Sequence, residues 1–341
     1  MLWITIGAAL LAGLGYLAVL RRRARRPVAA EHALRDHWDV PAAAGAPGSF
    51  DTSKIAAANS AQTERLWRLA FVAPAQSEAL PEADLEVRNQ VFAVLGGTRL
   101  DAKFFPRRPT LMPQLMQAVQ DPTAATERLS RIVAHDPVLA ADVLRLANSS
   151  RFRTTAQPIE TIQRAIVVMG VDALRGLLAV AMMQPVFRAS RNNFPRFPRM
   201  LWERTERAAR AANSFSMRVR PEDRFESQLA ILLSALGPLV VYGAALDIYS
   251  QSPDTRPNPA LMVELTSTLG NQMALHIAQQ WETSPRLAAA IERSPREPMA
   301  LALSVGELLG TLSMLEAQHV VTADEALEIA NSVELGSELA A

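Results

Sequence analysis

The sequence predicts an all-α protein in which one transmembrane helix and a juxtamembrane helical region precede a multi-helix domain. Three observations carry this expectation. No convincing pair of period-two strands occurs in the 341 residues. From about residue 104 the chain reads as successive apolar-periodic segments with short breaks. Several of those segments open on Asp-Pro, as at Asp121-Pro122 and Asp136-Pro137, where aspartate caps a helix and proline fits its first position without losing a hydrogen bond.

Residues 2–20, LWITIGAALLAGLGYLAVL, carry no charge, and at about 1.5 Å per residue a helix of this length reaches roughly 28 Å, close to the hydrocarbon thickness. A cleavable signal would place positive charge before the apolar run; here RRRARR follows it. The arginines predict an inner-membrane anchor with a periplasmic N-terminus and residues 27–341 in the cytoplasm. Residues 21–50 form the basic stop and a Pro-, Ala- and Gly-containing linker. His32 and His37 lie in it and read as solvated. Residues 51–100 form the juxtamembrane region, with amphipathic helices expected over 54–72 and 82–95. Their expected buried positions are Ile55, Leu66, Leu69, Val87, Val91 and Val94. The main domain is placed at 101–300 and a C-terminal helical extension at 301–341.

Composition narrows the function. The absence of cysteine excludes disulfides, thiolate metal sites and cysteine nucleophiles. The formal charge of +1 falls to −4 once the five arginines at 21–26 are set aside, so the body lacks the basic footprint of a nucleic-acid binder. Lysine occurs only at Lys54 and Lys103, which reads as coding bias. Neither phosphate-cradling glycine motifs nor a nucleophile elbow occur.

Within the domain, DPVLAADVLRLAN opens on Asp136 and Pro137 and ends near Asn148; IETIQRAIVVM runs to Gly170, and Asp172 is placed to cap the helix that follows. Three segments in order, LMPQLMQAVQDP, RIVAHDPVLAADVLRLANSS and PIETIQRAIVVMGVDALRGLL, resemble the HD-related output domain family, HDOD, over about residues 104–300. That resemblance implies an HD-like helical fold, related to metal-dependent phosphohydrolases that hold divalent metal with histidine and aspartate. In such enzymes the metal acidifies its bound water and polarises a phosphoryl group.

The matching positions of this chain have other residues. FPRMLWERTERAARAANSFS resembles a helix reading LWxHS in the enzymes, and it places Arg204-Thr205 there. QLAILLSALGPLVVYGA resembles a segment reading GLLHDIG, so Ser234-Ala235 replace the His-Asp pair, and Arg293-Ser294 stand where some relatives carry histidine. Hydroxyl and methyl groups do not hold a divalent ion at neutral pH, and a guanidinium repels one. The resemblance therefore implies a protein without catalytic residues, metal or cofactor: a bacterial signalling adaptor with protein partners. A nucleotide-sensing module with Arg204 as phosphate partner is the alternative, and a residual phosphohydrolase using His135, Asp136, His276 and Asp247 a further one.

His135-Asp136 is a literal His-Asp dipeptide, but Asp136 before Pro137 reads as a helix cap. His276, on an apolar face, and lone His319 read as packed or surface residues. Asp136, Arg145, Asn148 and Arg151 cluster polar groups around one helix and form the candidate interaction surface.

Overall fold

The computed structural model describes residues 50–74, 79–97, 102–106, 108–109, 113, 129–133, 137–149, 152, 158–187, 193–251, 255–333 and 335. Within these, every regular element is a helix. Residues 45–334 fold as one unit. The expected anchor at 2–20 and its basic stop lie outside the described residues, as do Asp136 and Arg151.

The first helix, α1 (Thr52–Phe71), starts where the Asp51 carboxylate accepts from the Ser53 and Lys54 amides at 3.0 and 3.2 Å. Two unpaired donors of the first turn are thereby satisfied. Its buried stripe is Ile55, Leu66, Trp67, Ala70 and Phe71, with Leu69 half-buried. On α2 (Glu82–Gly96) the buried stripe runs Val87, Val91, Leu95, each four residues on, so the inward face falls on Leu95 while Val94 is half-buried.

Next come α3 (Pro137–Ala147), α4 (Ile162–Met169) and α5 (Val171–Phe187). Thr161 caps α4, and Gly170 closes it with φ +81°, a backbone region open to glycine at little steric cost. Because α5 begins at Val171, Asp172 lies inside its first turn, where it favours the helix N-terminus and pairs with Arg175 at 3.1 Å.

The centre is built from α6 (Arg196–Val219), α7 (Arg224–Ser250), α8 (Pro259–Gln280) and α10 (Pro298–Ala317), with short α9 (Pro285–Ile291) between the last two and α11 (Ala323–Ser332) at the end. The closest pairings are α6 with α10 and α7 with α8. Small residues make them possible. A Cβ on Gly237 would lie 1.8 Å from the Gly270 carbonyl oxygen, and one on Gly310 would lie 2.5 Å from the Ala208 nitrogen. The helix backbones thus touch at these glycines. Pro238 continues the same contact, with its ring against Gly270. It stands inside α7 and removes the amide that would bond the Ser234 carbonyl one turn back.

Two of these helices, Pro298–Ala317 and the stretch Pro221–Ser250 that contains α7, are long and apolar enough to cross a membrane. Yet 78% and 83% of their apolar windows are buried inside the protein, and that packing accounts for their composition.

Helices α1 and α2 are part of this body. α1 lies on α10 and α8, and α2 on α7. Phe71 stacks on Phe197 with centroids 4.4 Å apart, while Trp67 and Tyr242 each pack on Phe197 at 5.1 Å. On α2, buried Asp84 accepts from the Tyr249 hydroxyl at 2.6 Å and the Asn258 amide at 2.7 Å, bolting it to α7 and the start of α8. Burial, then the Asp84 carboxylate, pushes the Tyr249 phenol well above its usual range.

Two outcomes follow for stability. Gly237→Ala should destabilise the fold by about 1–3 kcal/mol or more, because backbone must move, whereas Gly96→Ala, in open space, should be neutral or gain up to about 1 kcal/mol. Denaturant unfolding distinguishes them. A fragment confined to residues 105–296 should fail to give cooperative thermal unfolding. Removing α1 alone strips Ile55, Leu66, Trp67 and Phe71 from the core, roughly 6–12 kcal/mol of burial against a typical total of about 5–15.

Candidate functional site

Arg204 and Arg293 are far apart in sequence, but the fold brings both into the field of one carboxylate. Glu307 is the single charged residue in the apolar run 298–315 of α10, and it is buried. Its Oε2 pairs with the Arg293 guanidinium and accepts from the Asn59 amide at 2.9 Å. One turn along α10, the Thr311 hydroxyl donates to the Glu307 carbonyl at 2.7 Å and accepts from Arg204 Nε at 2.9 Å. The Arg204 guanidinium lies over the Trp67 ring, 5.7 Å from its centroid. Helices α1, α6 and α10, with the segment after α9, thus each supply part of one buried cluster.

The electrostatics follow from this arrangement. Burial alone would push the Glu307 carboxyl up, but Arg293, Arg204 and the Asn59 amide outweigh it and hold the group below the usual carboxylate range. Burial lowers the Arg204 pKa, Glu307 opposes that, and Arg293 adds to it. Arg293 itself sits at φ +64° just past α9, a left-handed position usually given to glycine. An L-residue there costs on the order of 1–2 kcal/mol. The side chain offsets that cost by reaching Glu307 and, at 3.2 Å, the Ser304 hydroxyl.

The other predicted positions are separate from this cluster in their bonding. Thr205 is buried and returns its hydroxyl to the Leu201 carbonyl at 2.6 Å, a local bond within α6. Ser234 is buried with its hydroxyl lacking a hydrogen-bond partner, and Ala235 is buried beside it. Arginine, threonine, serine and alanine at these four positions do not fit a divalent metal: none offers an imidazole or carboxylate, and the one charged group is a cation committed to Thr311. Among the described residues no three His, Asp or Glu side chains converge as a metal site. Asp247 pairs with Lys103 at 3.0 Å, while His276 packs on Phe105 with ring centroids 5.0 Å apart.

On the candidate interaction surface, Arg145 is exposed in the last turn of α3. Asn148 is half-buried and engaged: its Nδ2 donates to the Ile159 carbonyl at 2.8 Å and the Leu144 carbonyl at 2.9 Å, while Oδ1 accepts from the Ile159 amide at 2.7 Å. It ends α3 and splints the segment leading to α4. His135, like Asp136 and Arg151, lies outside the described residues.

Sequence reasoning missed Glu307, Thr311, Asn59 and Trp67. One signal was available: a lone glutamate amid eighteen mostly apolar residues must find partners if the helix is buried.

Substituting Glu307→Ala should cost about 3–5 kcal/mol, because it leaves two buried or half-buried guanidinium groups facing each other. Since the folded carboxyl titrates below its unfolded value of about 4.3, its stabilising contribution is complete above that pH and is lost as pH falls through the folded pKa. Stability measured by urea unfolding from pH 7 to pH 3 should fall in the native protein, and Glu307→Gln should flatten that acid limb.

A family model of the HDOD domain matches residues 105–296. Among solved structures, an HDOD domain protein of unknown function from Geobacter sulfurreducens is similar at 16% identity and TM-score 0.49, over 76% of this chain and 97% of that one. A presumed phosphohydrolase from Shewanella amazonensis SB2B is similar at 20% identity and TM-score 0.46, over 76% and 92%. A presumed signal transduction protein from Marinobacter aquaeolei VT8 is similar at 17% identity and TM-score 0.45, over 76% and 66%. Curated protein sequences give no significant match.

Proposed function

Since the chain belongs to the HDOD domain family, we propose that it is a non-enzymatic regulator of bacterial signalling that acts through protein contacts and is held at the inner membrane by residues 2–20. The observation that supports this reading most is the fate of Arg204. At the position where the phosphohydrolases keep a metal-anchoring histidine, this side chain turns into the protein and is spent on Thr311, Trp67 and the field of Glu307. A group so engaged neither ligates a metal nor reaches out to a phosphate, which favours an adaptor over the phosphohydrolase and the nucleotide sensor.

The adaptor role needs an accessible surface and a reason to find partners. Arg145 on α3 supplies an exposed charge at the sequence-predicted patch. Tethering supplies the second, because confinement near the membrane raises the effective concentration toward partners already there. The apolar run 2–20 with its arginine wall is the feature that supports tethering.

Titration of the full-length chain with Mg²⁺ and Mn²⁺ should give no binding heat, and micromolar affinity for either would overturn the non-enzymatic reading. Deleting residues 2–20 should move the protein from the membrane fraction to the soluble one. Its retention with membranes after the deletion would overturn the tether.

A further inference from the structure

From Leu265 to Trp281, most of α8 and its C-cap, no residue carries a carboxylate, ammonium or guanidinium. The residues of this run that face solvent are Ser267, Thr268, Asn271, Gln272, Gln279 and Gln280, and Leu275 is half-buried. Solvent-facing positions on other helices are charged, as at Arg199 and Arg210 of α6 and Asp324, Glu325 and Glu328 of α11. Serine, threonine and asparagine are also poorer helix formers than lysine, arginine or glutamate, so neither solvation nor local propensity accounts for the choice. Depletion of charge is instead what the centre of a protein interface shows.

Spacing gives this face a seam. Thr268, Gln272, Leu275 and Gln279 follow one another in steps of four, three and four, the repeat by which one helix packs along another. The seam complements itself: hydroxyl and primary amide groups both donate and accept, so a second copy can satisfy them, and no like charges confront each other along it. Its ends set the direction. Before the seam Glu264 pairs with Arg88 of α2 at 3.6 Å, and beyond it Glu282 pairs with Arg108 at 3.7 Å. A parallel pair of helices would set each of these charges against its own copy. An antiparallel pair sets Glu264 and Arg88 of one chain against the other chain's Glu282 and Arg108, where opposite charges interleave.

We propose that the exposed face of α8 is a homodimer interface, in which two copies pair antiparallel about a two-fold axis level with Met273 and Ala274. Thr268 then meets the partner's Gln279, hydroxyl to amide, and the Gln272 stem lies on the partner's Leu275. Specific interfaces bury roughly 1,200–2,000 Å² in total, more than one helix seam supplies. Helix α2 widens the face: Phe92 is 36% exposed and lies one turn after Arg88, the residue that ties α2 to α8 through Glu264. The pairing uses none of the residues around Arg204 and Glu307, so it stands or falls independently of the adaptor reading.

A chain without native cysteine allows a position-specific test. Full-length protein carrying both Thr268→Cys and Gln279→Cys is oxidised in membranes with copper phenanthroline, and disulfide-linked dimer is read on a non-reducing gel. Within one helix the two positions are about 16 Å apart, beyond the roughly 7 Å between Cα atoms that a disulfide spans, so no internal bond competes. The double variant should yield dimer. Each single variant should yield none, because antiparallel pairing leaves its two copies about 16 Å apart along the helices. Adding Gln272→Lys or Gln272→Glu to the double variant should cut the dimer by roughly tenfold, since like charges then face each other near the axis, and co-expressing the two should restore it. The substituted positions are exposed, so every variant should unfold within a few degrees of the parent. Absence of dimer from the double variant, the result expected if solvent or a different protein covers this face, would overturn the proposal. Single variants that crosslink as readily as the double, the mark of chance collision or of pairing in another geometry, would overturn it as well.

Discussion

A carboxylate cannot be buried in a helical core unless cations or strong donors meet it there. Glu307 imposes that condition on this protein, and much of the architecture answers it. Arg293 comes from the turn after α9, Asn59 from α1, and Arg204 from α6 by way of Thr311. Each partner must arrive in register, so the ion cluster fixes how α1, α6, α9 and α10 sit together more sharply than apolar packing does. Hydrophobic contacts reward burial with little regard to angle, whereas a guanidinium paired with a carboxylate does not tolerate a slipped helix.

Close backbone contact is the second constraint, and it explains the LLSALGPLV stretch of α7. Gly237 is where α7 meets α8 with no side chain between them, and Pro238 extends the contact over Gly270. Gly306 and Gly310 play the same part on α10 against Ala208 and Ala212 of α6. With the helices so near, polar groups such as Thr311 and Arg204 come within bonding distance across the interface. Short separation and the buried ion cluster are therefore coupled: widening one contact loosens the other.

The legible part of this fold was what depends on local chemistry. The all-α class, the two helices before residue 100 and the family resemblance rest on breaks and apolar period, which act over a few residues. What was not legible is what depends on meeting at a distance. Arg204 and Arg293 were each singled out by position, yet their common partner lies beyond the family-matched residues 105–296, and Asn59 and Trp67 lie before them. On α2 the inward face settled on Leu95 because the four-residue step from Val91 carries it to α7, a choice between near-equivalent apolar positions that periodicity alone leaves open. His276 was read as packed, and its ring does pack on Phe105, but only the three-dimensional arrangement reveals a cavity beside it and a buried nitrogen without a partner.

The bond from Asn59 to Glu307 spans 248 residues of sequence. At a synthesis rate of about 5–20 residues per second, α1 waits roughly 12–50 s on the ribosome before the helix it must cover exists. Phe197 of α6 and then α8 emerge earlier and offer Trp67 and Phe71 part of their native surface, but the α10 face on which α1 also lies comes later. The nascent chain consequently carries α1 with the side that meets α10 uncovered until its last helices emerge, and its yield in the cell depends on what shields that side.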